Sequence, residues 1–116
     1  MESIIDRPYN SKITGDVTNA NVNISALPRK SYIKIGNIVE LCIGFTISNE
    51  IEAGHEYILL SDLPELYSSD YIVCTLFEEN RSNSPIRVSI RGTNLRTFYT
   101  KIPVGKYEGT LIYLSK

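Results

Sequence analysis

The chain has 116 residues, 42% of them hydrophobic and 22% charged, with a formal net charge of −1. That length supports one domain around a single core, and the composition is far from that of a disordered chain. A nearly neutral balance excludes a strongly basic nucleic-acid surface, so no nucleic-acid partner is expected.

Residues 1–11 lack periodicity and include Pro8, so they read as an irregular N-terminal arm able to pack on a neighbouring subunit. Glu2 and Asp6 interrupt any apolar run there, which argues against a secretory leader. No segment reaches the roughly 20 apolar residues of a membrane helix, so no membrane insertion is expected. The folded domain is expected over 12–116.

Within it, Lys12 to Val17 and Val22 to Leu27 read as two short strands. Asp16, Asn19 and Asn21 between them supply side chains that bond nearby backbone in turns. A strand from Tyr32 to Ile35 leads through Gly36-Asn37, a tight hairpin signal, into the longest run, Asn37 to Ser48. There Val39, Leu41, Ile43, Phe45 and Ile47 share one parity, which builds one apolar face in a strand. Gly44 and the β-branched residues around it disfavour a helix.

Asn49 to Gly54 turns the chain, and His55 to Leu60 continues it as a strand. Ser61 to Ser69 is a connection with Leu63 and Leu66 as buried anchors; Pro64, which cannot donate to a ladder, marks a crossing between sheets. Tyr71 to Phe77 is a further strand, and Glu78 to Ser84 is the most polar stretch, an exposed loop. Ile86, Val88 and Ile90 alternate with Arg87, Ser89 and Arg91 in a one-sided strand. Leu95 to Tyr99 and Tyr107 to Leu114 complete the set, with turns at Gly92 to Asn94 and Pro103 to Gly105. Many short strands with polar turns indicate an all-β fold, an antiparallel β-sandwich of jelly-roll type.

The chemistry of catalysis is sparse. His55 is the single histidine, and one histidine with two distant cysteines gives no zinc-ligand spacing. Asp16 with Asn19, Asn21 and Asn23 offers one carboxylate where calcium sites use several. Neither a phosphate loop nor a dinucleotide fingerprint is present, so no cofactor or enzymatic activity is expected. Cys42 and Cys74 lie in separate strands and are expected to be free thiols. Arg81, Arg87, Arg91 and Arg96 form a mild basic gathering, expected on solvated strand faces.

Eight tyrosines and no tryptophan are an uneven aromatic set. A tyrosine offers an apolar ring and a hydroxyl at low entropic cost, which suits core edges, interfaces and sugar binding alike. Tyr67 and Tyr71, flanking the serine-rich connection, are the tyrosines singled out for recognition. By residue type and expected exposure, the candidate ligand contacts are Tyr67, Asp70, Tyr71, Asn80, Arg81, Asn94 and Arg96.

The order Lys34-Ile-Gly-Asn-Ile-Val39, the alternating run to Ile47, Ile51-Glu-Ala-Gly54, and Leu63-Pro64 with Tyr67 resembles the receptor-binding head domains of phage tail-fibre and baseplate proteins. In that family a basic residue and G-N-x-V open a long strand, and an L-P-x-x-Y corner precedes a sheet crossing. The resemblance covers residues 31–67 closely and the remainder in spacing. The family's corner commonly has a second proline after the tyrosine, where this chain has Ser68-Ser69-Asp70. The resemblance implies a β-sandwich head, commonly a homotrimer, in the virion tail, assembled in the bacterial cytoplasm and binding host-surface saccharide or protein. Two alternatives stand beside it. One is a structural virion component, in the baseplate or as head decoration, whose partners are other virion proteins. The other is a cellular carbohydrate-binding module, against which the missing tryptophan and leader count.

Overall fold

The computed structural model describes residues 12–116, so the expected arm over 1–11 lies outside the described residues. The fold is all-β. Its strands are β1 (Lys12–Asp16), β2 (Thr18–Asn19), β3 (Ile24–Ile35), β4 (Ile38–Ile47), β5 (Ile58–Ser61), β6 (Ile72–Glu78), β7 (Ile86–Arg91), β8 (Asn94–Thr97) and β9 (Gly105–Leu114). All pair antiparallel in one continuous order, β1-β3-β4-β9-β6-β7-β8-β5-β2.

Two features curl this sheet around its core. β6 pairs with β7 from Ile72 to Leu76, then offers Phe77 and Glu78 to Glu108 and Tyr107 of β9. The edge strands β1 and β2 are consecutive in the chain, separated only by the buried Val17, whose N–H bonds Lys30 O at 2.7 Å. The two ends of the sheet therefore meet, and it closes nearly into a barrel.

β4 is the central stave. Val39, Leu41, Ile43, Phe45 and Ile47 are each 1% exposed or less, as their common parity requires. It pairs with β9 without interruption from Ile38↔Leu114 to Ile47↔Gly105. Opposite it, Leu76, Val88, Ile90 and Leu95 fill the interior from β6, β7 and β8. Leu63 and Leu66 seal one end, where Tyr113 Oη donates to Pro64 O at 2.7 Å. Leu63 and Leu66 N–H groups bond Thr93 and Gly92 of the β7–β8 turn, and Tyr67 N–H bonds Leu114 O. The Pro64 connection thus ties β9 to the β7–β8 hairpin.

Several strands differ from the expected pattern: Thr18–Asn19, expected as a turn, is β2, and β8 ends at Thr97 rather than Tyr99. Residues 24–35 form one long strand rather than two short ones, because register shifts between Ile24 and Ala26 and between Ala26 and Arg29 absorb extra residues. Pro28 falls in that shifted segment, where its missing N–H interrupts no regular ladder bond. β5 begins at Ile58 rather than His55, since residues 55–57 bond Thr97 irregularly. Tyr57 N–H donates to Thr97 Oγ1 at 2.8 Å, and that hydroxyl donates to His55 O at 3.1 Å. The cysteines are free and on opposite faces: Cys74 packs against the core, while Cys42 Sγ lies 3.7 Å from Thr110 Oγ1 on the outer side of β4.

The Phe45 ring meets Tyr107 with centroids 6.2 Å apart in the middle of the core. Phe45→Ala is expected to cost about 3–5 kcal/mol, the range for truncating a buried aromatic. Urea unfolding measures it; a loss below about 1 kcal/mol would show that this ring does not fill the core.

Candidate functional site

The outer face of β6-β7-β8 carries a connected set of polar and aromatic side chains. Strand alternation sends Arg87, Ser89 and Arg91 of β7 outward, while Ile86, Val88 and Ile90 fill the core. Pairing sets Arg96 of β8 beside Ser89, and Asn94 beside Arg91. Val73 of β6 and Ile58 of β5 flank the Ser89–Arg96 row.

Glu56, arriving just before β5, holds this face together. Its Oε1 accepts from Ser89 Oγ at 3.1 Å, and its Oε2 accepts from Arg91 Nη2 at 3.3 Å and Tyr99 Oη at 3.2 Å. The Glu56 side chain is only 12% exposed, so its charge needs these donors. Tyr99 adopts φ 61°, a strained setting for a bulky residue, and Gly54 N–H bonds its carbonyl at 3.0 Å. The hydrogen bond to Glu56, and then the Glu56 charge, push the Tyr99 hydroxyl pKa up.

Arg91 also lies over the Tyr71 ring, with Cζ 4.8 Å from its centroid. Tyr71 and Phe98 follow at 5.6 Å, tilted by 38°, and Phe98 and Tyr99 at 5.4 Å, nearly edge-on at 73°, so the three rings form a stepped shelf. Tyr71 and Tyr99 remain exposed at its two ends. Nε of Arg91 and of Arg96 is covered from solvent and meets no acceptor among the described residues. The arrangement is suited to holding a ligand: rings for apolar faces, guanidinium and amide groups for polar ones.

Of the residues expected from sequence to contact ligand, Tyr71, Asn94 and Arg96 come together here. Tyr67 and Asp70 lie on the exposed connection before β6, where Asp70 N–H bonds Ser68 Oγ at 3.0 Å. Asn80 and Arg81 sit at the opposite end of β6, about 20 Å along the strand. Glu56, Phe98 and Tyr99 also belong to this face, and sequence reasoning missed them. Besides the residue types of Tyr71, Asn94 and Arg96, the outward parity of Arg87, Ser89 and Arg91 signalled the site in the sequence; nothing local announced the arrival of Glu56.

Arg81 belongs to a separate cleft of about 430 Å³ lined by Phe77, Glu78, Arg81, Asn83 and Pro85. Glu78, expected in an exposed loop, is instead buried. Its Oε1 accepts from Ser82 N at 2.7 Å, Ser82 Oγ at 2.9 Å and Asn83 N at 3.2 Å, so one carboxylate pins the whole loop. The Ser82 hydroxyl, helped by the backbone N–H groups, holds the Glu78 carboxyl below its usual range. Arg81 has φ 57° at the tip of this loop.

The Asn19–Asn23 segment also finds internal partners. Asn21 N–H bonds Asn19 Oδ1 at 2.9 Å, and Asn23 N–H bonds Asn21 Oδ1 at 2.8 Å, as turn capping requires. Among the described residues, no three of His, Cys, Asp and Glu converge as metal ligands do.

Because the folded Glu78 pKa is depressed, its contribution is present above the unfolded value and is lost as pH falls through the folded one. The Ser82 and Asn83 amides are therefore expected to stay protected from neutral pH down to about 5 and to lose protection in more acid solution. In Glu78→Ala, trypsin is expected to cut after Arg81 about tenfold faster or more; unchanged cleavage would show that the carboxylate does not order the loop. Compared with known proteins, the chain matches no family model and no curated protein.

Proposed function

We propose that this chain is a non-enzymatic recognition domain that holds saccharide on the Tyr71–Phe98–Tyr99 shelf. The observation that carries this reading is the Arg91 guanidinium, fixed at once by Glu56 and by the Tyr71 ring. A cation and rings held before a ligand arrives lower the ordering cost of binding. A sugar ring lies on tyrosine faces, while Asn94, Arg96 and Arg91 meet its hydroxyls.

The setting we propose is the head of a phage tail fibre or baseplate protein, attaching the virion to host-surface saccharide. The segments that resemble that family each have a structural task here. Gly36 takes φ 59° in the β3–β4 hairpin, Gly54 takes φ 98° beside the Tyr99 carbonyl, and Leu63 and Leu66 close the barrel end.

That setting implies a homotrimer, and the outer face of β3-β4-β9 offers a surface for association. Ile35, Ile38 and Leu114 form one paired row, and Ile33, Glu40 and Ile112 the next. Ile35, Ile38, Ile112 and Leu114 are exposed, an apolar patch that water disfavours. Association of three copies through this face is the oligomer we propose.

Two measurements test these readings. Wild-type protein is expected to bind host cell-wall polysaccharide, and Tyr71→Ala to weaken that binding about tenfold or more. A flat response across host polysaccharides would favour a structural virion component instead. Light scattering is expected to give a stable trimer that Ile38→Lys with Ile112→Lys converts to monomer; a wild-type monomer would count against the head-domain reading.

A further inference from the structure

Resting on the saccharide reading above, we propose that the β7–β8 face selects an anionic polysaccharide, whose sugars carry carboxylate or phosphate groups, over a neutral one. The net charge of the whole chain is −1, yet this face gathers Arg87, Arg91 and Arg96. Arg87 and Arg91 flank Ser89 on one side of β7, about 13 Å apart along the strand, and Arg96 lies beside Ser89 on β8. Among the described residues, Glu56 is the carboxylate within salt-bridge distance of this trio, and it serves Arg91 alone.

Arg87 is exposed and Arg96 half-buried, neither with a carboxylate partner among the described residues. The cations thus outnumber the one local countercharge. Ser89 is fully buried and its hydroxyl is taken by Glu56, so a ligand meets the guanidinium ends rather than the strand. Planar guanidinium groups match carboxylate and phosphate oxygens in paired hydrogen bonds, while a neutral sugar leaves their charge uncompensated on desolvation. The Tyr71 and Tyr99 rings at the edge of the trio supply contact for the sugar itself.

Binding of the full chain to four immobilised polymers tests this: polygalacturonate, a phosphomannan, neutral dextran and sugar-free polyacrylate. A charged polysaccharide is expected to bind about tenfold tighter than dextran, with the preference shrinking as salt rises. Carboxylate and phosphate are distinguished by which of the first two polymers is held. Arg87→Gln and Arg96→Gln are each expected to lose severalfold to about tenfold, on the scale of a hydrogen bond to a charged group. Lys12→Gln, the same charge change on the exposed edge strand β1, is expected to leave binding unchanged. Equal binding of dextran, or equal losses in Lys12→Gln, overturn the charge selectivity and leave saccharide recognition standing. Equal binding of polyacrylate shows that the sugar is not read and overturns the polysaccharide proposal together with the saccharide reading. Binding to no polysaccharide, host wall included, overturns both.

Discussion

The apolar row of β4 is the constraint on which the molecule depends. Its inward residues from Val39 to Ile47 are shielded almost completely, and both neighbours, β3 and β9, are aligned on it. A one-residue slip would turn that row to solvent and bring Glu40 and Thr46 into the core. Register along β4 therefore fixes β9, and β9 in turn fixes β6 through Glu108 and Tyr107. The candidate site sits on β7 and β8, the strands that follow β6 in the same sheet.

Rigidity of that face comes from a polar network, not from the core alone. Glu56, Ser89, Arg91 and Tyr99 are brought together from distant parts of the chain and meet at one carboxylate. Glu78 has the same role at the other end of β6, where it organises its own loop. The two acids work at different ranges, Glu56 joining residues 33 to 43 positions away and Glu78 joining residues four and five away. In both, a shielded carboxylate takes several donors, so losing it leaves several polar groups without partners at once.

The two outward faces differ in chemistry. The β3-β4-β9 side is apolar around Ile38 and Ile112, whereas the β7–β8 side is basic and aromatic. A sheet that curls on itself presents such faces in different directions, so the proposed association and the proposed ligand would not compete for one surface. Both sit on regular strands, where side-chain direction is set by ladder geometry rather than by a loop.

Side-chain alternation was enough to identify the all-β class, the inward row of β4 and the one-sided character of β7, and the apolar Leu63 and Leu66 in a polar connection marked its anchors. Period-two patterning is local, so it can be read along the chain without knowing what pairs with what. Pairing is not local. That Pro28 lies within one bulged strand, that β6 passes from β7 to β9, and that β1 and β2 take opposite edges of the sheet depend on contacts distant in sequence. The same holds for the candidate site: Arg91, Asn94 and Arg96 were visible as polar residues, but Glu56 meets Arg91 only because β5 pairs with β8. The chain's own periodicity determined which residues face inward; only the paired, curled sheet decided which outward residues stand together, because hydrogen-bonded strands bring distant positions within a few ångströms.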